Sequence, residues 1–180
     1  MRNFYLPIFL GFLFFNFSLS NINAQPANDD CGGIIMLGEA PFGTCPSTEY
    51  TNINATASTI ASVPAFNIPT CWSSVNHDVW FQFDVPPTGN FIDFIITVES
   101  GGSSPIGTIQ AALYRGDCIV DNLAELDCQV AGAGETSVQF NASGLTPGLP
   151  YYIRVDDQSP TATPESVSYT HLTLPTICSV

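Results

Sequence analysis

The sequence contains no lysine, and its three arginines face 16 aspartates and glutamates, for a net charge of −13. A chain so poor in positive charge cannot build the basic patches that attract nucleic acid or anionic lipid, and both are excluded as partners. Only two histidines occur and no Cys-x-x-Cys pair, which argues against a structural zinc site. Beyond residue 24 no apolar run approaches the roughly 20 residues that a bilayer span needs. Helical periodicity is missing as well, since no window carries an apolar stripe at a spacing of about 3.6. Strong acidity can signal disorder, but 45% hydrophobic and 12% aromatic residues fit a chain with a buried core.

What is present begins with an address. Arg2 precedes the apolar run FYLPIFLGFLFF, which stops at Asn16, and Ile22-Asn23-Ala24 ends the segment. Residues 1–24 therefore read as a secretory signal peptide cut after Ala24. The mature chain loses Arg2 and keeps Arg115 and Arg154, so its net charge is 2 − 16 = −14. At this size a single domain is expected. Six cysteines in an exported chain imply disulfides and a secreted or cell-surface location.

The apolar segments alternate with a period near two. In DVWFQFDV, Val79, Phe81, Phe83 and Val85 share one face, and Trp80, Gln82 and Asp84 the other. FIDFIITV, TIQAALYR, SVQF and YYIRVD repeat the pattern through Ile92, Phe94, Ile96, Val98, Ile109, Ala111, Leu113, Val138, Phe140, Tyr151, Ile153 and Val155. Turn-rich pieces such as GGSSPIG and SGLTPGLP separate them. Short strands with one apolar face must meet a second layer, so the expected fold is all-β, an antiparallel β-sandwich of jelly-roll or immunoglobulin/fibronectin-like form. The stretch from about 40 to 69 is the least regular and is expected to hold a short strand or two. Leu145, Pro147 and Tyr151 have the spacing of a tyrosine corner, in which the hydroxyl bonds back to upstream backbone.

Candidate sites are few. Ser73, His77 and Asp78 lie close in sequence, but neighbouring positions rarely form a catalytic triad and no nucleophile elbow occurs. Acids are plentiful, yet nothing singles out a glycosidase pair. Asn28, Asp29 and Asp30 beside the first strand, with Asp156 and Asp157 at the end of another, offer hard oxygen ligands for calcium. Trp80 and Tyr114 fall on the outward phase of their strands and Trp72 in a loop, so exposed rings could stack on a glycan, unless the long 40–70 loop covers that face. Arg115-Gly116-Asp117 matches an integrin-binding tripeptide, a length at which chance matches are common.

PANDDCGGIIML, DVWFQFDVPPTG, ALYRGDC followed by LAELDC, and GLTPGLPYYIRV together resemble a known module, over roughly residues 26–157. It is the sandwich domain near the N-termini of large surface and secreted proteins of gliding bacteria that use type IX secretion. That domain is similar in turn to the pre-peptidase C-terminal domains of secreted proteases. In the resembling modules the chain continues past the YYIRV strand into one more strand that ends in a cysteine. Here that strand is expected to be missing. VSYTHLTLPT, which opens the stretch from 167 to 180, looks like a translation of the transposase adapter used in sequencing libraries. Domain 25–165 is thus expected to lack its final strand, with 166–180 a non-native tail.

Cys178 falls in that tail, leaving five cysteines, an odd number. By spacing, Cys118 and Cys128 suit one hairpin loop and Cys45 and Cys71 a longer one, though other pairings stay open. Cys31 is then left over; the resemblance implies a partner on the lost strand, which would leave Cys31 unpaired. The expected function is a non-catalytic extracellular module of a larger protein, serving adhesion or binding an extracellular glycan. The alternative is an accessory domain of a secreted peptidase or other hydrolase. No cofactor is expected beyond calcium.

Overall fold

The structure, a computed structural model, describes residues 24–39, 49–58, 68–87, 94–101, 108–118, 122–133, 135–158 and 169–171. Residues 1–23 of the expected signal peptide, Cys45, Ile92, Cys178 and most of the tail lie outside them. A short 3-10 turn, Cys31–Gly33, precedes β1 (Ile35–Glu39), β2 (Glu49–Thr51), β3 (Val79–Asp84), β4 (Phe94–Gly101) and β5 (Ile109–Arg115). There follow β6 (Ala124–Val130), β7 (Ser137–Ala142), β8 (Pro150–Asp157) and β9 (Tyr169–His171). A five-stranded sheet has the order β1-β3-β8-β5-β6, and a four-stranded sheet the order β2-β9-β4-β7.

The fold is all-β and sandwich-like, as the alternation requires. Val79, Phe81 and Phe83 of β3, Ile109, Ala111 and Leu113 of β5, and Tyr151, Ile153 and Val155 of β8 supply one inner face. Ile96 and Val98 of β4 meet them with Val138, Phe140 and Ala142 of β7. Each Val, Ile, Leu or Phe among them stabilises the fold by roughly 1.5–3 kcal/mol relative to exposure. Phe83 stacks on Tyr151 with ring centroids 5.6 Å apart.

The tyrosine corner forms. The Thr146 N–H donates to the Tyr151 hydroxyl at 2.7 Å, and Leu145 is buried beside it. The same turn clasps the end of β3, because Gly148 N–H donates to Val85 O at 2.7 Å and Val85 N–H to Leu149 O at 3.2 Å. Gly148 has φ of 75°, a left-handed conformation that only glycine adopts without strain.

Three features depart from expectation. The sheets are not all antiparallel, since β1 runs parallel to β3 with Ile35 opposite Phe81, so the larger sheet is mixed. A further strand, β6 (AELDCQV), is not among the expected ones: it alternates as they do but lies at the sheet edge, with its side chains only half-buried or exposed. The segment expected to be foreign supplies β9, which lies between β2 and β4 rather than at a sheet edge.

The disulfides also differ. Cys31 pairs with Cys118 and Cys71 with Cys128, with Cα separations of 5.9 and 5.8 Å. Cys31 is therefore not left over, and the Cys118–Cys128 and Cys45–Cys71 pairings are overturned. Strand register explains why: Cys128 sits opposite Ala112, which lies 118 − 112 = 6 residues before Cys118. At about 3.3 Å per residue the two cysteines of this hairpin are well beyond the ~7 Å Cα limit for a disulfide. Their side chains instead reach across the sheet's outer face to segments that are distant in sequence.

Candidate functional site

The outer face of the five-stranded sheet carries the residues that alternation points away from the main core. Strand register sets them in rows. Trp80 of β3 lies opposite Arg154 of β8, which lies opposite Ala112 of β5, itself opposite Cys128 of β6. On one side of this row stand Gln82, Tyr152, Tyr114 and Glu125. On the other stand Asp156, Gln110 and Val130.

This face is covered. The segment 69–77, here called the strap, lies over it with the Cys31 turn and Leu123. Cys31, Trp72, Trp80, Ala112, Tyr114, Leu123 and Tyr152 form a second, smaller apolar cluster. Trp80 is 0% exposed, Tyr114 1% and Trp72 6%. The outward phase assigned to Trp80 and Tyr114 is right, but their exposure to a ligand is not, and Trp72 is a buried loop residue. The cover is the strap rather than the described part of the 40–70 loop, except that Ser58 reaches beneath it.

At its centre lies an ion pair. Arg154 Nε donates to Asp78 Oδ2 at 2.8 Å, with the two side chains 1% and 0% exposed. The guanidinium carbon sits 5.5 Å from the Trp72 ring centroid and 5.1 Å from that of Trp80, a cation held between two indoles. Ser58 closes the network. Its N–H donates to Asp78 Oδ1 at 2.7 Å, and its hydroxyl donates to Asp78 Oδ2. Its Oγ accepts from Trp80 Nε1 at 2.9 Å and Arg154 Nη2 at 3.2 Å. A serine with its proton and both lone pairs committed is a structural link, not a nucleophile. Burial pushes the Tyr114 hydroxyl up to about 12, opposed by the nearby Arg154.

A second cluster anchors the strap's far end. His77, Asp156 and Asp157 bring ligand-type atoms within 4.8 Å of one another. Asp156 Oδ1 accepts from the N–H groups of His77 and Asp157, both at 2.8 Å. Its Oδ2 accepts from Asn76 N–H at 3.0 Å and Gln110 Nε2 at 3.1 Å. His77 Nδ1 lies 3.2 Å from Asp157 Oδ1. A carboxylate has about four lone-pair sites, and all four on Asp156 are filled by N–H donors. Burial still wins over these bonds and pushes its pKa up to about 6, helped by the charges of Asp78 and Asp157. Burial likewise raises Asp157, against the pull of His77. This geometry is a clamp on the strap, leaving only Asp157 and the imidazole for a cation.

The other calcium candidates lie elsewhere. Asn28 Nδ2 donates to Trp80 O at 3.1 Å, and the Asp29 carboxylate accepts from Thr56 N–H at 2.5 Å and its hydroxyl at 2.9 Å. Asp30 is exposed, its pKa raised by partial burial and then by the charges of Asp29 and Asp78. Among the described residues, Asp29 and Asp30 do not join the cluster of His77, Asp156 and Asp157. Ser73, His77 and Asp78 form no triad, because the imidazole faces Asp157 while Asp78 faces Arg154 and Ser58. In the Arg-Gly-Asp triplet, Gly116 has φ of 119° and a Cβ there would meet Asn122 O at 2.4 Å, so its glycine is required by the hairpin.

Sequence reasoning missed Ser58, Asp78, Gln110 and Arg154 as a set. One signal was present: a lone arginine on the outward phase of an apolar strand needs a buried acid as partner. No protein-family model matches the chain, and no curated protein matches it either.

Proposed function

We propose that this chain is a non-catalytic extracellular module of a larger secreted or cell-surface protein, serving adhesion. The observation that carries this reading is the use to which its reactive groups are put. Arg154, Asp78, Ser58, Asp156 and His77 spend their hydrogen bonds fastening loops to the sheet, and two disulfides fasten them again. Such bonding suits a rigid platform exposed to an oxidising, protease-rich exterior. Glycan stacking on Trp80, Tyr114 and Trp72 loses support because the rings are covered, so contact with a surface partner falls to the loops and exposed strands.

The test is the gene context of this sequence together with the purified domain. Adhesive repeats and a C-terminal sorting domain downstream, with retention of the domain on the surface of intact cells, are expected. A peptidase or other hydrolase motif downstream would instead make the module an accessory domain of that enzyme. Hydrolytic activity that is intrinsic to the purified domain and abolished by Ser58→Ala would overturn the non-catalytic reading.

A further inference from the structure

We propose that the Cys71–Cys128 disulfide is a reducible latch, whose selective opening by a dithiol lifts the strap and uncovers the Trp80–Tyr114 face while the sandwich stays folded. The two disulfides differ in access. Cys71 is exposed and its partner Cys128 half-buried, whereas Cys31 is 8% exposed within the smaller apolar cluster and its partner Cys118 half-buried. Exposed disulfides are the labile ones, because exchange needs a thiolate to reach a sulfur.

The strap is fastened differently at its two ends. Near residue 71 the strap is also held by Thr70 bonding the Glu125 carboxylate, which is open to water, and by the packing of Trp72 in the smaller cluster. Near residue 77 the buried Asp156 and Asp157 hold it through Asn76 and His77. Cutting the latch therefore frees one end and leaves the other as a hinge. The closed strap also buries Trp72 Nε1 and Gln110 Oε1, which have no hydrogen-bond partner among the described residues. Trp72 belongs to the strap, and Gln110 Nε2 bonds its Ser74 O at 3.0 Å, so lifting the strap lets water reach both.

What lies beneath loses its Trp72 contact but keeps bonds that do not involve the strap. Arg154 remains bonded to Asp78 and Ser58, neither of which is a strap residue. The Trp80 and Tyr114 rings lie 5.7 Å apart at an interplanar angle of 35°. The main core contains no residue from 69–77. Opening would thus present two adjacent rings edged by a guanidinium.

The exchange balances. A thiolate of the dithiol attacks the Cys71 sulfur, the S–S bond breaks, and Cys128 leaves as a thiolate that takes up a proton. The second thiol of the reagent then displaces Cys71 from the mixed disulfide. Two electrons pass from the dithiol, which becomes a disulfide, to the cystine, which becomes two thiols.

Both tryptophans of the chain, Trp72 and Trp80, lie at this site, so tryptophan emission, excited where tyrosine does not absorb, reports on it. The oxidised protein is titrated with dithiothreitol, alkylated with N-ethylmaleimide and mapped by mass, with acrylamide quenching and far-UV circular dichroism on the same samples. Cys71 and Cys128 are expected to label at a reductant concentration about tenfold below that needed for Cys31 and Cys118. The quenching constant should rise about threefold at that point with circular dichroism unchanged. Joint opening of the two pairs, earlier opening of Cys31–Cys118, or unchanged quenching after selective opening would overturn the proposal. The Cys71→Ser, Cys128→Ser double variant should show raised quenching with no reductant and still melt cooperatively. Its failure to fold would mean that this disulfide holds the fold, which also overturns the latch.

Discussion

Replacing Arg154 with alanine should be among the most damaging single changes in this domain. The side chain is 1% exposed and its partner Asp78 is 0% exposed, joined at 2.8 Å. Removing one member of a buried pair leaves the other charge uncompensated, at a cost of about 3–5 kcal/mol. Here Asp78 keeps the Ser58 N–H and hydroxyl as donors, which favours the lower end of that range. The loss of the cation between Trp72 and Trp80 adds to it, at about 0.5–2 kcal/mol for a desolvated contact. Against a total stability of about 5–15 kcal/mol the deficit is large enough to read by urea unfolding at constant m. A double-mutant cycle isolates the pair. Asp78→Asn alone should also destabilise, and combining it with Arg154→Met should cost about 1–3 kcal/mol less than the sum of the two single changes. A cost below about 1 kcal/mol for Arg154→Ala, or strict additivity in the cycle, would show that the pair is not the keystone of this face.

Other perturbations probe the remaining joints. Tyr151→Phe removes the corner bond to Thr146 and should cost about 1 kcal/mol; an unchanged Tm would mean the corner contributes nothing. Asp156 has its pKa raised from 3.8 to about 6, so its contribution to stability is fully present below about 3.8 and is lost as pH rises through about 6. The raised Asp157 acts in the same direction. Unfolding free energy should therefore fall between about pH 4 and pH 6, and Asp156→Asn should flatten that slope; a steady rise in the wild type over this interval would contradict the assignment. Because Asp156 has no lone pair to spare, calcium or a chelator should move Tm by less than about 1 °C, and a saturable calcium-dependent increase would reopen the metal reading.

The sequence by itself determined the layers of this protein. A two-residue period is read directly from side-chain type, and it correctly sent Val79, Phe81 and Phe83 inward and Trp80 outward. The tyrosine corner was legible for the same reason, since its residues lie within a few positions of one another. Tertiary structure alone decided what became of the outward face. Alternation says which way a ring points but not whether another segment lies over it, and the strap that buries Trp80 and Tyr114 is joined to the sheet by contacts between residues far apart in sequence. The disulfides depended on the same thing: loop length suggested Cys118–Cys128, whereas strand register carried those sulfurs apart and set each beside a partner more than fifty residues away, at separations of 87 and 57. Asp156 followed suit. Its neighbours in the chain suggested a calcium ligand, and the backbone brought to it from residues 76 and 77 filled its oxygens with N–H donors instead.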